Sequence, residues 1–214
     1  MAQSAVLPIL DKPADILARY EAALAGDHLT QGNWHSEKDG RWLACALGVI
    51  GDDVSSPADC PASVMPRWLA QMVPGFFDRQ KFDDAKDWGR RFYAALAKVE
   101  GNVPFVVVHR WHAETVCPLG IEAAGKRGRD PAPHKALQEL HRRAAKGEKI
   151  AADVWRPVLK NADAYADAYA DADAYAYAYA YAYANANANA NANAYAWKRL
   201  ADGMVEAIEW SAKS

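Results

Sequence analysis

The stretch FDDAKDWGRRFYAALAKV, residues 82–99, decides the fold class of this chain. Its large apolar side chains, at Phe82, Trp88, Phe92 and Leu96, recur at near-helical spacing. Aspartates at its start suit the positive end of a helix dipole. The stretch therefore predicts an amphipathic helix that buries one face in a hydrophobic core.

Other segments of the chain have apolar stripes of the same kind and also predict helices. They are ADILARYEAALAG (14–26), HKALQELHRRAAKGE (134–148) and WKRLADGMVEAIEW (197–210). Glycines at Gly26 and Gly147 end the first two. In the last, the stripe consists of Trp197, Leu200, Met204 and Ile208. We expect that segment to dock on the core.

The remaining segments are less regular. Asp39-Gly40 predicts the turn of a β-hairpin, and LACALGVIG (43–51) after it predicts a short buried helix. Four prolines divide residues 56–78 into short helical pieces. The β-branched run in VPFVVVHRWHAETVCPLG (103–120) suggests a strand, but Pro104 suits the first turn of a helix, and we interpret the segment as a helix.

A strict alternation fills the C-terminal region. From Asn161 to Tyr195 every odd position is Asn, Asp or Tyr, and every even position from Ala162 to Ala196 is Ala. The codons of Asp, Asn and Tyr differ only in their first base, so the tract has the form of an expanded codon repeat. As one strand it would be roughly 110 Å long. Because alanine is the best helix former, we interpret the tract as a helix of about 50 Å.

Composition and charge narrow the class of protein. A chain of 214 residues can bury a sizeable core, and a net charge of −2 gives no global attraction to nucleic acid or anionic membrane. No run approaches the roughly 20 apolar residues of a membrane span, and the N-terminus lacks a signal-peptide pattern. Three widely spaced cysteines argue against a disulfide framework. We therefore expect a cytoplasmic protein.

One alternative function is a cysteine-dependent hydrolase or transferase. A cysteine at the head of a helix can have a lowered pKa and act as a nucleophile, with a histidine as base. The candidates are Cys45 with His35 or His112. Buried cysteines are more often small apolar core residues, so the competing interpretation of Cys45 is structural.

The segment HRWHAETVC (109–117) contains several residue types that ligate metals, but its spacing matches no zinc pattern and no second dense ligand pair occurs. We therefore expect no metal. The chain also lacks a phosphate loop, a dinucleotide fingerprint and a serine elbow, so we expect no cofactor.

A second alternative is nucleic-acid binding through the basic region 126–149, which has eight Lys or Arg against three acids. Its candidate contacts are Arg127, Arg129, Arg142 and Arg143. A solvated helix face is the usual explanation of such a region, and no recognisable nucleic-acid-binding motif is present. Nucleic acid is therefore not the expected partner.

Scattered motifs carry a resemblance to a group of proteins from phages, prophages and their bacterial hosts. The matching residues are Gly32, Trp34, Cys45, Ala46, Gly48, Leu140, His141, Gly147, Glu148, Trp155, Trp197, Ala201, Asp202 and Ile208. The group resembled is α-helical and has an Ala-rich repeat near its end, though not in strict alternation. The resemblance implies no catalytic residues and favours an accessory protein of a mobile element.

Together these observations predict a mainly α fold: a helical globular domain over 1–150, with room for one small β-hairpin. Residues 151–214 would form the Ala-rich repeat helix and a docking C-terminal helix. We expect a non-enzymatic protein-interaction or accessory protein. Its partner would be a protein, and a second copy could associate through the Ala-Tyr helix.

Overall fold

A computed structural model describes residues 7–126, 128–163 and 190–213. Residues 164–189, which hold most of the predicted repeat helix and its self-association surface, lie outside the described part. The helices are α1 (Pro13–Ala25), α2 (Arg67–Asp78), α3 (Phe82–Lys98), α4 (Val106–Trp111), α5 (Cys117–Lys126), α6 (Ala132–Ala145), α7 (Ala152–Asp163) and α8 (Ala190–Ser211). The strands are β1 (His35–Lys38) and β2 (Arg41–Ala44). The chain is therefore mainly α with one small antiparallel sheet and a C-terminal helix, which confirms the predicted fold class.

The β-hairpin forms where the Asp39-Gly40 signal predicts it. Both turn residues have positive φ, 54° at Asp39 and 71° at Gly40, as a tight type I′ turn requires. The register pairs Lys38 with Arg41 and His35 with Ala44.

The short buried helix predicted over residues 43–51 is confirmed only at its end, and it is wrong for the first residues. Leu43 and Ala44 belong to β2, and only Gly48–Ile50 makes a single 3₁₀ turn. The reason is a tertiary contact: the N–H of Ala44 donates to the carbonyl of His28 at 2.9 Å, and its carbonyl accepts from the N–H of Thr30 at 3.0 Å. These bonds hold Ala44 in extended strand pairing, so the helical turn begins only after it.

The chain divides into two compact units. Unit 1 takes the described residues up to Val103 and those from Ile208 onward, and unit 2 runs from Pro104 to Ala207. The boundary at residue 150 expected from the sequence stays a prediction.

Unit 1 is built around α3. Trp88 and Phe92 stack at 4.8 Å between ring centroids, and Phe76 of α2 contacts Trp88 at 5.8 Å. From α1, Tyr20 packs on Tyr93 at 5.7 Å. All five rings are at most 1% exposed, so the helix predicted from residues 82–99 supplies the centre of an aromatic core.

Unit 2 begins with one continuous helical run. The helix predicted over 103–120 is confirmed: α4 passes through a π-helical segment, His112–Val116, into α5. Helix α6 packs against α4, the π-helical segment and α5, and α7 packs on α6. The indole N–H of Trp111 donates to the carbonyl of Leu200 in α8 at 2.8 Å. Within the described ranges no helix is long and apolar enough to cross a membrane.

Candidate functional site

The structure places two of the three candidate catalytic residues around one residue of unit 1, Gly48. The N–H of Gly48 donates to Sγ of Cys45 at 3.4 Å, and Nε2 of His35 lies 3.0 Å from the carbonyl of Gly48. Because a carbonyl only accepts, Nε2 is the protonated nitrogen of His35 in this bond. The described part of the chain shows no hydrogen bond between Cys45 and His35.

The surroundings of Cys45 favour the protonated thiol. The side chain is 9% exposed, and burial raises its pKa, against a smaller lowering by backbone N–H groups. His112, the other candidate base, lies in unit 2. An active cysteine normally has a lowered pKa, so this geometry supplies no activated nucleophile in the structure as it stands. The cysteine enzyme stays a prediction.

The candidate nucleic-acid contacts have different surroundings. Arg143 is bonded through two guanidinium nitrogens to the carboxylate of Glu148, which raises the pKa of Arg143. Arg142 and Arg129 are exposed, and Arg127 lies outside the described residues. Arg143 is therefore already paired with an acidic side chain, and nucleic-acid binding remains a prediction.

Unit 2 brings together three histidines, His109, His112 and His141, here called the histidine cluster. Nδ1 of His109 lies 3.1 Å from Nδ1 of His141. The rings of His112 and His141 stack with centroids 4.4 Å apart and planes 18° from parallel. Nδ1 of His112 donates to the carbonyl of Val108 at 2.9 Å. The described chain holds no group of three or more potential ligands arranged for a metal ion.

Burial makes the histidine cluster hard to protonate. His112 is 3% exposed and His141 is 7% exposed. Desolvation lowers the pKa of His112 to about 4, and it lowers the pKa of His141 still further, with smaller contributions from the neighbouring imidazoles. The pKa of His109, which is only partly buried, is also lowered by burial. At neutral pH the three rings are therefore uncharged.

A tryptophan from α7 closes the histidine cluster. The ring of Trp155 stacks on His109 at 5.7 Å and meets His141 edge-on at 5.0 Å. Phe105 also contacts His109, with ring centroids 5.8 Å apart and ring planes nearly perpendicular. Through Trp155, α7 therefore contacts both α4 and α6.

The apolar stripe of α7 is only partly covered. It consists of Val154, Trp155, Val158 and Leu159, which fall on one helical face. Val154 is 41% exposed, and the other three are half-buried. Phe105, beside the same rings, is 42% exposed. We call these five residues the α7 patch.

Comparison with known proteins adds no identification to this geometry. No protein-family model, curated protein or solved structure matches the chain. Function is therefore inferred from the contacts of its own side chains.

Sequence reasoning missed the histidine cluster as a unit. It named His112 as a candidate base and noted His109 nearby, but His141 entered only through a resemblance. The two-histidine spacing on one helix was a usable signal. The partner 32 residues away on α6 could be found only from helix packing.

Proposed function

We propose that the chain is a non-enzymatic interaction protein that binds an acidic amphipathic helix of a protein partner on the α7 patch. The observation that carries the proposal is the incomplete burial of the α7 stripe. In α3 the corresponding stripe residues Trp88, Phe92 and Leu96 are 0% exposed, whereas Val154 of α7 is 41% exposed. Leaving aliphatic and aromatic area in water costs roughly 25 cal/mol per Å², which a partner's apolar face would recover.

The basic residues near the patch indicate the charge expected of the partner. Residues 142–160 contain six Lys or Arg against two acids, and one of the acids, Glu148, is paired with Arg143. On α7 itself, Arg156 and Lys160 are exposed and lie beside the Leu159 edge of the stripe. An apolar strip bordered by cations is complementary to a helix with apolar and acidic faces.

The three free cysteines support a reducing compartment, which we take to be the cytoplasm. The resemblance to phage and prophage proteins supports an accessory role for such an interaction. The cytoplasmic location and the accessory role are parts of the same proposal.

The test uses a labelled amphipathic Leu/Glu peptide helix as the probe and a Leu/Lys peptide of the same pattern as its control. Fluorescence anisotropy should show binding of the Leu/Glu peptide and not of the Leu/Lys peptide. Arg156→Glu with Lys160→Glu should weaken Leu/Glu binding about tenfold and admit the Leu/Lys peptide. Both positions are exposed, so the double variant should retain the fold.

The matched control is Tyr195→Ser, because Tyr195 is a 63% exposed aromatic residue of the same unit outside the patch. It should bind the Leu/Glu peptide as the parent chain does. Equal binding of both peptides, or no effect of the charge reversal, would contradict the proposal. If the chain forms a dimer that Val154→Ser dissociates, the patch binds a second copy and the proposal is contradicted. Tighter binding of a duplex oligonucleotide than of the Leu/Glu peptide would also contradict it.

A further inference from the structure

The histidine cluster joins three elements of unit 2 through groups that change charge in mild acid. His109 comes from α4, His112 from the π-helical segment, and His141 from α6, and all three are in ring contact. Local π-helical geometry is frequent at functional sites. We propose that the histidine cluster is an acid-sensitive latch that holds α7 on α6 through Trp155 and releases it when the cluster takes up protons.

The hydrogen bond between His109 and His141 limits how many protons the cluster can hold. At 3.1 Å, one Nδ1 must donate and the other must accept. One added proton on His109 is compatible with this bond and with its stacking on the Trp155 ring, which attracts a cation. A second proton, on Nδ1 of His141, would point two N–H groups at each other and break this hydrogen bond. We therefore expect α7 to be released when the cluster takes up its second proton.

A proton on His112 is no better accommodated. Its Nδ1–H already donates to Val108, so a second N–H would form on a ring that is 3% exposed. The positive charge would lie against His141, with ring centroids 4.4 Å apart. If His141 also carries a proton, two buried like charges at this separation repel strongly.

Among the residues that the structure describes, no carboxylate shifts the pKa of these imidazoles; the shifts come from burial, Val108 and the imidazoles themselves. On the run from α4 to α5, Arg110 lies 3.8 Å from Glu114. At the start of α5, burial raises the pKa of Cys117 to about 12, against a lowering by Arg142 of α6. From α7 the ring of Trp155 faces the cluster. The charged side chains of α7 whose exposure is described, Asp153, Arg156 and Lys160, are exposed.

The direction of the pH effect follows from linkage. The unfolded value is about 6.5 and the folded pKa of His112 is about 4, so the closed form binds fewer protons than the open form between these values. Stability of the closed form is full above about pH 6.5 and falls as the pH approaches 4. Each histidine that is protonated only in the open form changes the opening equilibrium by up to about tenfold per pH unit.

Hydrogen exchange of the full chain, with intrinsic rates corrected for pH, tests the latch. Between about pH 6.5 and 4.5 the opening equilibrium of the α7 amides should rise at least about a hundredfold, while that of α3 stays within a few fold. The variant His141→Gln should reduce the pH slope for α7, because a neutral amide replaces one titrating ring. His28→Gln, in unit 1, is the matched control and should leave the slope unchanged.

A pH-independent α7, or a slope that His141→Gln does not alter, would overturn the latch. If His141→Gln does not fold, NMR titration of the histidines in the unaltered chain decides. Two of the three rings should titrate well below 6.5, and titration of all three near 6.5 would overturn the inference. The latch concerns the chain alone, so a failure of the α7 patch to bind a helix would leave it standing.

Discussion

Each unit has a cluster of stacked rings, and the two clusters differ in what acid does to them. In unit 1 the rings around Trp88 are phenyl, phenol and indole groups, and Tyr93 donates its hydroxyl to the carbonyl of Ala46 at 2.5 Å. Burial raises the pKa of Tyr20 and Tyr93 above the ordinary value, so neither ionises near neutral pH. In unit 2 the stacked rings include three imidazoles, whose ordinary pKa lies close to neutrality.

The difference shows that how closely rings pack and whether they can become charged are separate properties of a core. Trp88 on Phe92 and His112 on His141 stack at similar distances, 4.8 and 4.4 Å. Stacking of this kind is favourable in both units. Only in unit 2 can the same rings acquire charge, so its closed packing depends on pH.

The largest expected effect contrasts one tryptophan from each cluster. Trp88→Ala should lower the free energy of unfolding by about 3 to 5 kcal/mol, because Trp88 is fully buried and a cavity remains. Trp155→Ala should cost about 1 to 2 kcal/mol, because the side chain is half-buried and water fills the space. Urea denaturation of both variants measures this. Equal losses of unfolding free energy would show that Trp155 contributes as much to stability as the core residue Trp88.

A smaller effect is expected at two glycines, one in each unit. A Cβ at Gly89 would lie 2.2 Å from the hydroxyl oxygen of Tyr20, and one at Gly203 would lie 2.1 Å from Oγ1 of Thr115. Gly89→Ala and Gly203→Ala should each cost about 1 to 3 kcal/mol despite the better helix propensity of alanine. Gly125→Ala is the control, because nothing lies within 4 Å of its Cβ and α5 should gain up to about 1 kcal/mol. Thermal unfolding distinguishes them; a stabilised Gly203→Ala would mean that unit 2 packs more loosely than unit 1.

The smallest effect is expected at an ion pair on the surface of unit 2. Glu122 bonds Arg199 and Lys126, each at 2.7 Å, and these bonds lower its pKa to about 2. Because its side chain is 41% exposed, Glu122→Gln should cost only about 0.5 kcal/mol. Its contribution is full above about pH 4.5 and is lost as the pH falls toward 2, so it does not account for a loss of stability between about pH 6.5 and 4.5. If Glu122→Gln instead flattened the unfolding curve between about pH 6.5 and 4, the acid sensitivity of unit 2 would not belong to the histidines.

Much of the fold could be predicted because its signals are local. The spacing of Trp88, Phe92 and Leu96 predicts α3, and Asp39-Gly40 predicts the hairpin, since each signal lies within a few residues of the structure it forms. The error at residues 43–51 arose where the decisive bonds came from elsewhere, from the backbone of His28 and Thr30 to Ala44.

The candidate site shows the same limit. Sequence alone determined that His112 and His109 lie on one helix, because helical periodicity places side chains without reference to the rest of the chain. Only the tertiary structure decided that His141 stacks on His112, that Trp155 closes the cluster, and that the α7 stripe is left half-covered. These properties depend on how separate helices pack. Desolvation and ring contacts, which set the protonation state, arise only after that packing.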